Sequence, residues 1–217
     1  MKKAIWIIGT ILALCISGYS LVQYFVLEPS KSGFVMSKIQ IGDVLNQFWY
    51  IMLYIHAFSS LLALALGPFL LSEKIRNKNR ERHKLFGKVY LSCILFGGLT
   101  GFYLAFEATG GLISTLGFGF LAFFWLVTGS MAFYKIKQRK IQQHRKWMIR
   151  NYSLTFAAVT LRLWLPLFVL TAGVENYETS YTIISWLSWV PNLLVAELYV
   201  RKMTTTFKND LLDQSHA

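Results

Sequence analysis

Acidic side chains and cysteine are scarce in this chain, and the motifs of soluble enzymes are absent. Two cysteines, Cys15 and Cys93, both lie inside apolar runs. There is no CxxC, no CxxCH and no disulfide framework, which excludes a zinc ribbon and a covalently attached haem. No P-loop, HExxH, GxSxG or Rossmann fingerprint occurs. Ten Asp and Glu stand against 22 Lys and Arg, a net charge of +12 over 217 residues. None of the ten carboxylates falls in the middle of an apolar run.

Apolar residues are abundant. The chain is 55% hydrophobic and 16% aromatic, with a mean hydropathy of +0.46. A helix needs roughly 20 apolar residues to cross the hydrocarbon core. Six stretches meet that length, at about 4–27, 48–72, 88–108, 112–134, 151–173 and 181–200. The expected fold is an all-α, polytopic bundle of six transmembrane helices. It forms one integral membrane domain over 1–217 with a short polar tail at 201–217. The first stretch is too long for a signal-peptide core and no A-x-A site follows, so it reads as an uncleaved helix. "ATGG" between the third and fourth stretches fits a tight helical hairpin. Gly97 and Gly101 form a GxxxG that suits close packing within the bundle. Pro191 inside the sixth stretch should kink it.

Basic residues orient the bundle. Nineteen of the 22 lie in one set of segments: Lys2, Lys3, seven from Lys74 to Lys88, seven from Lys135 to Arg150, and Arg201, Lys202 and Lys208. The opposite side holds only Lys31 and Lys38. Both termini and the two basic loops are therefore expected in the cytoplasm. The charge reads as a topology signal and a contact for anionic lipid headgroups, with no need for nucleic acid.

Histidines and one arginine are the polar residues to explain. His216 lies in the tail. His56 lies on a stripe with Ser60, Ala63 and Gly67, which points it inward. His83 and His144 sit in short similar segments, each followed by a basic residue, an aromatic (Phe86 or Trp147), a second basic residue (Lys88 or Arg150) and Tyr90 or Tyr152. Two facing imidazoles can ligate haem iron, with Arg145 and Arg150 meeting propionates. Haem b on His83 and His144 is one expectation. A quinone hydrogen-bonded by His56 and Arg162 is its ally.

Arg162 stands near the centre of the fifth stretch, about 16 Å from each interface. A charge at that depth costs several kcal/mol and marks a functional site by default. Asn192 and His56 are the polar residues at similar depth. Arg162 either holds an anionic or redox ligand with them, or ties helices together through carbonyls freed by Pro166 and Pro191. A midplane Arg162 also fits a transporter or channel for a small anionic solute. No paired broken helices are evident in the sequence to support that. A non-catalytic subunit or assembly factor is the third possibility.

"HAFSSLLALALGPF", "RHKLFGKVYL", "HRKWMIRNYSLTFAAVTLRLWLP" and "WVPNLLVAE" together resemble a family of predicted bacterial integral membrane proteins defined only as a domain of unknown function. The resemblance covers about Phe48 to Arg201. It implies a multi-pass protein of the bacterial cytoplasmic membrane, and its matching positions are His56, His83, Gly87, His144, Arg145, Trp147, Arg150 and Arg162. The layout is more loosely similar to small b-type cytochromes. It departs from their two-haem form because only three histidines are suitably placed.

The charge asymmetry makes a direct prediction. A reporter fused after Lys140 should register cytoplasm, and one fused after Tyr177 the opposite side. The reverse pattern would invert the orientation of every helix.

Overall fold

The computed structural model describes residues 2–27, 32–42 and 45–215. Glu28, Lys31, Asp43 and His216 lie outside the described residues, as do the side chains of Lys2, Lys208, Asp210 and Asp213. The described residues are helical almost throughout and include no strand. Six helical spans are long and apolar enough to cross a membrane.

The first span is α1 (Lys2–Leu21), which runs on through a π-helical turn (Val22–Val26). A short helix, α2 (Gly33–Ile41), follows, with Ser32 accepting from the Val35 N–H as its N-cap. The second span is α3 (Gln47–Leu71), capped by Asn46 through the Trp49 N–H. A one-and-a-half-turn helix, α4 (Glu73–Lys78), leads into the third span, α5 (Arg80–Phe106), which Asn79 caps. Gly110 and Gly111 at positive φ turn the chain into the fourth, α6 (Gly111–Lys137). The fifth comprises α7 (Ile141–Thr155) and α8 (Ala157–Ala172), and the sixth α9 (Tyr177–Leu187) and α10 (Val190–Ser215).

Several helices extend beyond the expected stretches. The third begins at Arg80 rather than 88, the fifth at Ile141 rather than 151, and the last continues through the tail to Ser215. Lys, Arg and Gln are good helix formers, so a helix does not stop where hydrocarbon ends. Both last spans are interrupted. At Phe156 the ladder shifts, with the Val159 N–H donating three residues back to Phe156 O. At Trp189 the N–H likewise donates to Trp186 O. Pro191 therefore sits in the first turn of α10, where its missing N–H costs little, and the interruption precedes it. The sequence did not reveal this pair of broken helices.

α3, α5, α6 and α7 pack as the centre of the bundle. α1 lies against α3 and α8, α9 against α6 and α8, and α10 against α7. Small residues allow the close contacts. A Cβ at Gly97 would press on the Trp125 ring and Ser59, and one at Gly101 would strike the His56 ring. The GxxxG thus packs inside the bundle. A Cβ at Gly67 would collide with the Tyr152 ring.

One buried polar cluster ties the centre together. Tyr90 Oη donates to Asn151 Oδ1 at 2.8 Å and lies 3.0 Å from Thr155 Oγ1. Trp125 Nε1 donates to Thr155 Oγ1 at 2.8 Å. Asn151 Nδ2 donates to Trp125 O at 2.8 Å and Thr128 Oγ1 at 2.9 Å. Tyr90 and Asn151 are fully buried. Each lies seven residues after a histidine, His83 or His144, so Asn151 rather than Tyr152 is the spatial counterpart of Tyr90. Tyr152 instead donates to Leu64 O on α3.

Replacing Asn151 removes the acceptor of Tyr90 and the donor to Trp125 O and Thr128. Asn151→Leu should destabilise the protein by about 2–4 kcal/mol. Thermal unfolding in detergent measures this, and a Tm within error of wild type would show that the cluster is dispensable.

Candidate functional site

A cavity within the bundle is lined by residues from all six spans. His56 on α3 and Arg162 on α8 both face it, in a volume of about 360 Å³. Its walls are mostly apolar, with Leu53, Leu61, Leu104 and Leu161 among them. Tyr24, Gln23, Trp49, Trp125, Thr155 and Tyr181 line it as well. Pockets of this size and character hold small molecules. Thr155 and Trp125 belong to the buried cluster as well, so the cavity is set directly against the centre of the bundle.

His56 is seated by the glycines of "GGLTG". Its Nδ1 lies 2.8 Å from Gly97 O on α5. A carbonyl can only accept, so Nδ1 carries the proton and Nε2 of the neutral ring is an acceptor. Ser60 Oγ, at a long 3.4 Å, is the donor to it among the described residues. His56 is therefore fixed as a base toward a ligand. It accepts a proton or hydrogen bond and does not donate one.

Arg162 is half-buried, and its Nη1 donates to Ala158 O one turn back at 3.1 Å. No carboxylate pairs with it among the described residues. Tyr24 on the π-helical turn is within hydrogen-bonding reach, and His56 and Tyr181 are within electrostatic reach. A guanidinium in this setting keeps donors available for a ligand oxygen.

The other arginines differ. Arg150 holds Glu197 with Nε at 2.8 Å and Nη2 at 2.7 Å, and stacks over Trp147 at 4.9 Å. Arg201 shares Glu197 at 3.1 Å. Arg145 meets Glu73 at 2.5 Å. Both arginines that the haem expectation assigns to propionates thus already hold a protein carboxylate.

His83 and His144 lie at the basic end of the bundle, away from the cavity. They are within electrostatic reach of each other and of Arg76. His144 Nδ1 faces Ala132 O at 2.8 Å, which leaves Nε2 as an acceptor. His83 Nδ1 is buried without a hydrogen-bond partner. No group of three or more metal-ligating side chains exists among the described residues.

Asn192 is not at the cavity. Its Nδ2 donates to Thr160 Oγ1 at 3.1 Å and Ser188 O at 2.9 Å, while Thr160 donates to Ser188 O. This knot joins the two interrupted spans at their breaks, and Arg162 takes no part in it. The structure thus brings His56 and Arg162 together, sets His83 and His144 apart as a second pair, and gives Asn192 a structural bond. Tyr24, Gln23, Trp49 and Tyr181 escaped the sequence reading. No motif marks them, and only the fold brings the first span against α3 and α8 and α2 against Trp49 and Tyr181.

A family model for a predicted membrane protein (DUF2306) matches residues 53–200, more than half of the chain. No curated protein and no solved structure matches, so the likeness to b-type cytochromes gains no support. The matched residues include His56 and Arg162 and leave out Gln23, Tyr24 and Trp49.

The two polar residues of the fifth and sixth spans should respond oppositely to removal. Arg162→Leu deletes a charge that has no counter-ion among the described residues and should raise the ligand-free Tm by a few degrees. Asn192→Ala cuts the knot between the breaks and should lower it, by about 1–2 kcal/mol. Melting curves of the purified variants decide. A lowered Tm in Arg162→Leu would make the arginine a structural tie.

Proposed function

The chain belongs to this family of predicted membrane proteins, and from that premise we propose that it binds a quinone-class ligand in the cavity between His56 and Arg162. One observation carries the reading. An arginine with no carboxylate partner among the described residues and a histidine with a fixed acceptor nitrogen line one apolar cavity within membrane-spanning helices. A quinone offers an apolar ring and an oxygen for the guanidinium. On reduction that oxygen gains charge or a proton. Arg162 stabilises the charge, and His56 Nε2 accepts the hydrogen bond of the O–H. Tyr24 and Tyr181 add hydroxyls at the same cavity.

We place the protein in the cytoplasmic membrane of a bacterium, with the basic end at the cytoplasmic side against anionic headgroups. The interrupted fifth and sixth spans favour a second reading, transport of a small anionic solute past Arg162. Broken helices at mid-membrane build such sites. Haem b on His83 and His144 rests on the unpaired Nδ1 of His83 and the acceptor Nε2 of His144. An absorption spectrum of the protein from haem-sufficient cells, oxidised and dithionite-reduced, tests it, and a colourless preparation ends it.

The ligand reading is tested by calorimetric titration of the purified protein with menadione. Binding is expected, and Arg162→Leu should weaken it at least tenfold, as the loss of a charged hydrogen bond of about 1.5–3 kcal/mol requires. His56→Leu should weaken the reduced form in the same way. Absence of binding by either redox form, or binding that ignores both substitutions, would remove the quinone reading.

A further inference from the structure

Where the first span meets α8, the cavity wall is sealed over one stretch and incomplete over the next. The seal is a cluster of Ala13, Leu64 and Val159, against which Leu12 and Ile16 of α1 and Phe156 and Ala158 of the fifth span pack. Leu12, Ile16, Tyr19 and Gln23 follow one another at intervals of four, three and four, so they share one flank of their helix. Leu12 and Ile16 are half-buried in the cluster. Tyr19, next on that flank, lines the cavity and yet is 52% exposed. The fifth span changes in step. Ala158 belongs to both the cluster and the cavity wall, and beyond it Arg162 and Leu165 line the cavity without joining the cluster. The first and fifth of six consecutive spans cross in the same direction, so the two changes stand opposite each other.

We propose that the cavity opens sideways into the lipid between Tyr19 and Leu165, and that its ligand is a quinone with a hydrocarbon tail, which leaves through this opening while the ring stays at Arg162 and His56. The inference rests on the quinone-class reading and narrows it from any quinone to one that resides in the membrane. Depth supports it. Tyr19 lies seven residues before Val26 and Leu165 seven before Ala172, where the first and fifth spans end. At about 1.5 Å per residue, each is roughly 10 Å inside the end of its span. The hydrocarbon core is about 30 Å thick, so an opening at that level meets acyl chains rather than water.

Size supports it as well. A volume of about 360 Å³ is at the small end for ligand pockets. It suits a ring system with the first carbons of a tail, and a longer tail has to lie outside. Lipid chains are as apolar as the leucines of the wall, so a tail seated in the opening gives up no favourable environment. Affinity then comes from the polar atoms of the ring, and the tail sets which quinones reach the site.

The test uses the full-length protein in phosphatidylcholine nanodiscs and two probes that share a ring, menadione and a menaquinone with four prenyl units. The Kd of each probe is compared between wild type and variant, so its partition into the bilayer cancels. Leu165→Trp fills the opening from α8, and Tyr19→Trp fills it from α1. Each should weaken the tailed probe at least tenfold more than menadione. Leu163→Trp, on the exposed side of α8 and outside the cavity lining, should change neither. The two blocking substitutions lie on different helices, so one that fails to fold leaves the other to decide. Equal losses for the two probes, or no loss for either, would overturn the opening while leaving quinone-class binding intact. An opening occupied by phospholipid chains would give that result. Failure of both probes to bind the wild type would remove the quinone-class reading itself.

Discussion

The hydrogen bonds around Asn151 hold α5, α6 and α7 in one register, and the other features of the bundle follow from that. In hydrocarbon, apolar side chains gain nothing by leaving lipid for protein, so helix association rests on close packing and on polar groups that need partners. Asn151 and Tyr90 provide both. Their side chains are fully enclosed, and Thr155 closes the cluster at the last residue of α7. The chain then shifts at Phe156, and α8 carries Arg162 to the cavity wall. A change of register in α7 would carry Thr155, Phe156 and Arg162 with it. The polar cluster that stabilises the bundle is thus also the device that aims the arginine.

The cavity needs a second set of elements to close it. α3 and α5 supply His56 and the glycine carbonyl that fixes its tautomer, while the π-helical turn after α1 supplies Gln23 and Tyr24. π-Helical turns recur at functional sites because the extra residue re-aims side chains that a regular α-helix would splay apart. α2 covers the end of the cavity. Its Lys38 is 3% exposed and donates to Glu107 O at 2.6 Å, at the carbonyl end of α5 where a cation is favoured. The short helix is thereby fastened to the transmembrane bundle rather than left as a surface loop.

Charge is distributed by role. At the basic end, Glu73 and Glu197 are each shared between two arginines, and these pairs fasten α4 to α7 and α7 to α10. With ten acidic residues for 22 basic ones, carboxylates are few, and the paired ones serve the helix ends. Arg162 has none among the described residues. In a low-dielectric interior a charge without a counter-ion is costly, and that cost is the ground for the proposed ligand.

The fold class and the six spans could be read directly from the sequence, because hydrocarbon thickness sets a length that apolar runs must match. The inward face of His56 and the intrabundle role of Gly97 and Gly101 were legible too, since helical periodicity alone sets which residues share a stripe. The two helix breaks, the true counterpart of Tyr90, and the position of Asn192 were not. Each depends on which helix lies opposite, and apolar runs of similar composition do not encode their neighbours. The sequence marked Arg162 as a charge that must be explained, but it did not show that Arg150 and Arg145 pair with glutamates far away in the chain. Only the tertiary structure decided that Arg150 and Arg145 hold carboxylates while Arg162 has none among the described residues, and it set Gln23, Trp49 and His56 at the same cavity. Hydrogen bonds between distant helices are made by geometry, and no local pattern of residue types records them.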